Sequence, residues 1–248
     1  MQSEPSTGTS QSPIPQRLAA LRAKMRERGL DAVVVRSTDR YLNEYVPEDE
    51  STRGWITGFS GSMGDAVVTG DRAVLFVDGR YTLQASQQAP DFESRTVTLG
   101  TSIEGGWLKL FEELPKQGVH TVGIETDRVP SSLFETISAK AKELGLQLVA
   151  TAPSLVEEVR RAAGDVVKLK PAPIWPIDAQ LVGRTVKERL AIAHPMFDQE
   201  KLDGLLVTAL DEIAWITNLR GLHFDYQATF RAQALVRRDE VIVAADPK

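Results

Sequence analysis

A pattern that occurs twice constrains this chain more than any other feature of it. Asp31-Ala-Val-Val-Val35 leads to Trp55-Ile-Thr57, then through a glycine-containing turn to the apolar run Ala73-Val-Leu-Phe-Val-Asp78. Asp203-Gly-Leu-Leu-Val207 leads in the same way to Trp215-Ile-Thr217, and past another glycine to Glu240-Val-Ile-Val-Ala-Ala-Asp246. A unit used twice calls for two lobes with equivalent strands in equivalent sheets, because side-chain alternation along a strand fixes which face is buried. With 248 residues, there is enough chain for two medium domains that each bury a core.

Composition removes several classes of function. The balance of 29 basic and 34 acidic residues, a net charge of −5, does not suit a nucleic-acid surface. Cysteine is absent, which excludes disulfides, thiolate metal sites and a cysteine nucleophile, and leaves the cytoplasm as the default compartment. Residues 1–13 have neither a basic stretch nor an apolar core, so they read as a disordered polar tail rather than a signal peptide. No apolar run approaches the ~18 residues needed to span a membrane.

Along the chain, Leu18, Leu21 and Met25 recur at helical spacing over residues 15–28, with Gly29 as the stop. The β-branched run Ala32-Val-Val-Val35 follows as a buried strand. Residues 37–53 form a long polar connection with five acids, Asp39, Glu44, Glu48, Asp49 and Glu50, and are expected to lack a buried face and to be open to proteases. Gly70-Asp71 joins two β-rich runs as an antiparallel hairpin. Alternation then continues: helix 81–89, strand 94–99, helix 103–114, strand 121–124, helix 131–144, strand 147–150 and helix 154–161. Such alternation specifies an α/β architecture with a mixed sheet flanked by helices.

The stretch 163–176, with Pro171, Pro173 and Pro176, reads as a linker in which strand and helix are both disfavoured. The domain reading is therefore a first domain over 14–162, this linker, and a second domain over 177–248 that could be incomplete at its C-terminus. The second domain opens with a helix capped by Thr185 and Glu188, in which Pro195 predicts a kink or break near His194. Asp211 reads as the N-cap of a helix through Trp215, with Glu212 in its first turn. Trp55 and Trp215 read as core anchors at equivalent positions.

Familiar catalytic patterns do not appear. Gly58-Phe-Ser-Gly-Ser-Met-Gly64 lacks the lysine and the strand-before, helix-after context of a phosphate-binding loop, and its spacing does not make a serine nucleophile elbow. The three histidines, His120, His194 and His223, share no His-Glu-x-x-His or similar spacing and read as surface or structural residues. No catalytic residue and no metal ligand is assigned.

Several of these motifs, in this order, carry a resemblance. Thr208-Ala-Leu-Asp-Glu-Ile-Ala-Trp-Ile-Thr-Asn-Leu-Arg-Gly221 resembles the middle-domain motif of three-domain Xaa-Pro aminopeptidases, the aminopeptidase P group of the creatinase/prolidase superfamily. Gly58-Phe-Ser-Gly-Ser62 and Val77-Asp-Gly-Arg-Tyr-Thr-Leu-Gln-Ala85 resemble two motifs of that group's first domain. The sequence departs from the group at Lys168-Leu-Lys-Pro-Ala-Pro-Ile-Trp-Pro176 and at Gln227-Ala-Thr-Phe230, which only approximate its usual motifs.

The resemblance implies two tandem creatinase N-terminal-like domains, with the pita-bread catalytic domain and its two divalent ions, manganese by expectation, outside this chain. It also implies a peptide substrate with proline in second position, met through the full-length enzyme, a possible homodimer, and a role in substrate access and assembly. A stand-alone binding or assembly protein of the same fold is the alternative. One residue carries an implied substrate contact, Arg80 in Asp78-Gly-Arg-Tyr81. Its other reading is a local pair with Asp78 or with the acidic 44–50 loop.

Overall fold

The computed structural model describes residues 12–169, 172–178 and 180–245. Nearly all of the tail expected at 1–13 lies outside them, as do Lys170 and Pro171 of the expected linker and the acid Asp246. Contacts divide the chain into two units. One holds residues up to Ser37 together with Ser51–Val166; the other holds Thr38–Glu50 together with residues from Val167 on.

In the first unit, helix α1 (Ile14–Glu27) and strand β1 (Ala32–Val35) are followed by α2 (Thr52–Thr57), β2 (Gly64–Thr69) and β3 (Ala73–Val77). A 3-10 turn at Gly79–Tyr81, α3 (Thr82–Gln88), β4 (Glu93–Thr96), α4 (Ile103–Phe111), β5 (Thr121–Ile124), α5 (Ser131–Glu143), β6 (Gln147–Ala150) and α6 (Leu155–Ala162) complete it. The sheet runs β4-β3-β2-β1-β5-β6. Its β2 runs antiparallel to both of its neighbours, β1 and β3, while β4 pairs in parallel with β3, β5 with β1 and β6 with β5. Every residue of β1, β2 and β3 is buried, because both faces are covered. Val33, Val35, Leu75 and Val77 pack with Leu21, Trp55 and Leu155 on one side; Val34, Val67, Val74 and Phe76 pack with Trp107, Phe111 and Ile137 on the other. The strand expected to reach residue 99 ends at Thr96, and Leu99 is fully exposed beside Gly100 in the left-handed region.

The second unit has β7 (Trp175–Pro176), α7 (Val186–Glu200), β8 (Leu205–Val207), α8 (Leu210–Thr217), β9 (Leu219–Arg220), β10 (Ala232–Val236) and β11 (Val241–Ala245). Its main sheet, β11-β10-β8, is antiparallel throughout. The order and direction are those of β3-β2-β1, so the repeated sequence does build a repeated helix–strand–helix–strand–strand unit. Residues 175 and 176, expected to be irregular, pair instead with Arg220 and Leu219, because two residues at the end of a proline-rich run can still add an edge pair.

The duplication extends to atoms. In each copy the triplet's threonine hydroxyl donates one turn back and accepts from the amide two residues on. Thr57 bonds Arg53 O at 2.8 Å and Phe59 N at 3.0 Å, and Thr217 bonds Ile213 O at 2.6 Å and Leu219 N at 3.2 Å. Both helices then end in a left-handed residue, Gly58 at φ 75° and Asn218 at φ 57°. In each copy an arginine of the preceding helix lies on the tryptophan ring and donates to its carbonyl. For Arg17 and Trp55 the guanidinium carbon is 4.3 Å from the ring centroid and the hydrogen bond is 2.6 Å. For Arg189 and Trp215 the first distance is 4.8 Å, and the same bond forms. The signal was present in the sequence as Arg17-Leu-Ala19 and Arg189-Leu-Ala191, aligned without a gap through Asp31 and Asp203.

Four expectations need correction. The 37–53 connection has a buried face: Asp39 is fully buried and accepts from the amides of Tyr41 and Asn43, both at 2.9 Å, while buried Glu50 accepts from the amide of Arg40 at 3.1 Å. Of the kink or break expected at Pro195, the break does not occur, since α7 runs on to Glu200; Phe197 is sunk in the core, and the His194 ring sits 2.8 Å from the Arg238 carbonyl. Asp211 is not the N-cap, a position that falls to Ala209; it lies in the first turn of α8 with Glu212, where both carboxylates still favour the positive end of the helix dipole. Trp55 is a core residue, but Trp215 is 45% exposed.

A buried ionic group lies where β1 and β5 end. Arg36 pairs with Asp65 and, at 2.8 Å, with Glu104. Asp65 also accepts from the Trp107 indole at 3.0 Å and from the Ser37 amide at 2.9 Å. Beside them Glu125, buried, accepts from the Arg36 amide at 2.8 Å, and its Oε1 has no hydrogen-bond partner. Burial pushes the Glu125 carboxyl above its usual range, against the pull of Arg128. A raised carboxyl value means the folded state holds the proton more tightly than the unfolded one. The charge penalty is therefore absent below the unfolded value of about 4.5 and grows until the folded value is passed. Glu125→Gln should accordingly raise the melting temperature at pH 8 more than at pH 5, as followed by circular dichroism; a loss of stability at pH 8 would contradict this account.

Candidate functional site

Strand β3 delivers Asp78 to the rim of the first unit's sheet. There Asp78 accepts from the Arg80 amide at 2.9 Å and starts the 3-10 turn that precedes α3. The same carboxylate takes Arg80 Nε at 3.1 Å and Nη2 at 2.6 Å, which is a two-point grip on the guanidinium. The local pair read from the sequence as one of two roles is thus present, and it is with Asp78. The Arg80 side chain is nonetheless 70% exposed. Arg80, through its hydrogen bonds, draws the Asp78 carboxyl below its usual range. Arg80 also lies 5.3 Å from the centroid of the Tyr81 ring.

Tyr81 ties this corner to the glycine-rich turn. Its hydroxyl is 2.9 Å from Ser62 Oγ, and its ring meets Phe59 edge-on at 5.7 Å. A β-carbon on Gly61 would stand 2.3 Å from the Phe59 ring, so only glycine fits there. Beneath the turn is a residue that reading the sequence did not single out, Arg53. Buried, it donates to the carbonyls of Phe59 and Gly61 and lies 4.8 Å from the Phe59 ring centroid. Burial lowers its pKa to about 10. The only signal in the sequence was a charge inside an otherwise buried helix, Thr52-Arg-Gly-Trp-Ile-Thr57. The corner is therefore a fixed cation over an aromatic on a braced turn, fit to meet a carbonyl or carboxylate.

The histidines are spread over different elements. The amide of His120 donates at 2.9 Å to Asp31, which also takes the Thr121 amide at 2.8 Å and so anchors the start of β5. Both ring nitrogens of His223 are engaged, one with the Ala172 carbonyl at 2.8 Å and one with the Arg231 amide at 3.2 Å. His223 borders a cleft of about 230 Å³ in the second unit, where Arg231 pairs with Asp49 at 2.7 Å. Among the described residues no three His, Cys, Asp or Glu side chains stand close enough together to hold a metal ion. Nor is any helix among them long and apolar enough to cross a membrane.

Two family models, each described as a creatinase/prolidase N-terminal domain, match residues 17–162 and 166–248. A probable Xaa-Pro aminopeptidase P of Laccaria bicolor is 33% identical over 234 residues, covering 93% of this chain and 35% of that protein. One of Sordaria macrospora is 34% identical over 232 residues, covering 93% and 37%. The crystal structure of the X-prolyl aminopeptidase of Caenorhabditis elegans, described as a cytosolic enzyme with a di-nuclear active site, superposes with a TM-score of 0.82 at 25% identity, covering 94% of this chain and 39% of that one. The chain thus spans little more than a third of the length of these relatives.

Arg53 and Arg80 separate by their burial. Arg53→Met leaves two carbonyls without their donors and should cost at least about 1.5 kcal/mol in thermal or denaturant unfolding. Arg80→Ala removes an exposed pair and should cost less than about 1 kcal/mol. The reverse order of effects would show that the turn is not braced from below.

Proposed function

Because the chain belongs to the creatinase/prolidase N-terminal domain family, we propose that it is the non-catalytic N-terminal region of an Xaa-Pro aminopeptidase. It shapes substrate access and assembly for an enzyme that removes the N-terminal residue before proline. The relatives' names and the order of matched motifs over both lobes support this reading. In it, two divalent ions, manganese by our reading, belong to a further domain of the kind the resemblance to Xaa-Pro aminopeptidases implies. The first domain is residues 14–162, the linker 163–176 and the second domain 177–248, in a cytoplasmic enzyme.

The observation that carries the substrate role is the geometry of Arg80. Asp78 orients the guanidinium at two points while most of the side chain faces solvent. An oriented cation loses less freedom on meeting a peptide oxygen than a free one would. Arg80 therefore serves as a substrate-positioning residue, and Asp78 holds it.

The test is kinetic. In the full-length parent enzyme Arg80→Ala should lower kcat/KM by the equivalent of about 1.5–3 kcal/mol, most clearly for longer peptides, while the melting temperature stays nearly unchanged. The isolated 248-residue chain should not hydrolyse an Xaa-Pro peptide with or without added manganese. A variant with wild-type kinetics and reduced stability would make Arg80 structural, and hydrolysis by the isolated chain would reject the non-catalytic reading.

A further inference from the structure

Two acid–tyrosine dipeptides from distant parts of the sequence meet in the second unit. Glu44-Tyr45 lies in its loop Thr38–Glu50, and Asp225-Tyr226 lies in the turn between β9 and β10. The two rings stand 5.4 Å apart between centroids and are inclined at 55°. Both are exposed, Tyr226 at 89%. Neither Glu44 nor Asp225 has a hydrogen-bond or ion-pair partner among the described residues.

Stability does not account for this arrangement. Phe224 and Gln227 bridge across a four-residue turn, and Tyr226 sits inside it at φ 66°. That is the left-handed region, where glycine is at ease and a β-carbon is crowded. The turn thus holds a large side chain at the position that favours none, and a ring so exposed buries little area in return. The same corner shows what such rings can hold. Arg231 lies 5.5 Å from the centroid of the Phe224 ring and pairs with Asp49 at 2.7 Å, a cation seated on an aromatic and fixed by a carboxylate. Asp49 shares its loop with Tyr45, and Phe224 shares its turn with Tyr226.

We propose that Tyr45 and Tyr226, with Glu44 and Asp225, form a second seat of this kind, which takes the arginine side chain of another polypeptide. Ring faces attract a cation. Two carboxylates one residue away add a negative field that spans the ring pair, well inside a Debye length. Arginine is favoured over lysine because a planar guanidinium lies flat on a ring and still presents its edge N–H groups to a carboxylate. The seat is independent of the role given to Arg80.

The chain has 4 tyrosines, so incorporation of 3-fluorotyrosine gives a readout that locates binding by fluorine NMR, with Tyr45→Phe and Tyr226→Phe assigning the two signals. The probe is N-acetyl-Gly-Arg-Gly-amide, whose only charge is the guanidinium. The Tyr45 and Tyr226 signals should shift saturably at about millimolar peptide, the Tyr81 signal should stay in place, and the citrulline analogue should be inert. Glu44→Gln combined with Asp225→Asn should weaken binding about fivefold. Tyr226→Gly, followed at Tyr45, should weaken it by about the same factor, with a melting temperature unchanged or raised because glycine suits the turn. The proposal is overturned by no saturation at about ten times that concentration, by equal shifts with the citrulline peptide, or by full affinity in the double carboxamide variant. It also fails if Tyr226→Gly binds normally but melts lower, which would make Tyr226 structural, or if Gly-Gly-Gly-amide with its free amino terminus binds equally well. A dimer in sedimentation that Tyr226→Gly dissociates would make a second copy the occupant and overturn it too.

Discussion

Both lobes hinge on one contact: an arginine of the opening helix laid flat on the indole of the next helix and bonded to that tryptophan's carbonyl. A helix C-terminus carries partial negative charge and carbonyls with no partner in the helix. A guanidinium supplied from a neighbouring helix answers both, and the ring gives it a low-polarity platform. The threonine clasp then sets where the second helix stops.

Much of the fold was legible because the repeated words are chemical instructions. Trp-Ile-Thr and the strand words Asp31-Ala-Val-Val-Val and Asp203-Gly-Leu-Leu-Val marked the repeat, while the threonine clasp and the hold of Asp31 on the start of β5 emerge only in the structure. The gap-free helical pairing of Arg17 with Arg189 was equally available. What failed were inferences from local polarity or propensity. Five acids in a loop suggested solvent, yet Asp39 and Glu50 bind backbone amides in the interior. Pro195 suggested a break, but a helix seated through Phe197 tolerates it. Equivalent sequence positions also need not be equally buried, since burial depends on what arrives later in the chain: α6 covers Trp55, and nothing described covers Trp215.

The Arg80 corner was legible as a motif but not as a device. The sequence placed the cation after β3; it did not reveal that Asp78 would grip it at two points or that Arg53 would carry the turn below. These are relations between residues two to eight positions apart whose geometry comes only from the turn. A cation held this way differs from an ordinary surface arginine, because its direction is fixed before any ligand arrives.

In the first unit, β1 lies inside the sheet, with β2 on one side and β5 on the other. Among the described residues its equivalent, β8, has a neighbour on one side only, and carries Leu205, Leu206 and Val207 with no charge or proline among them. Leu206, paired across to Leu235 and from there to Ile242, leaves an apolar row on the sheet's outer face. An uncharged open edge of this kind invites another strand. A lysine in place of Leu206 would act as a gatekeeper against edge-to-edge association between copies.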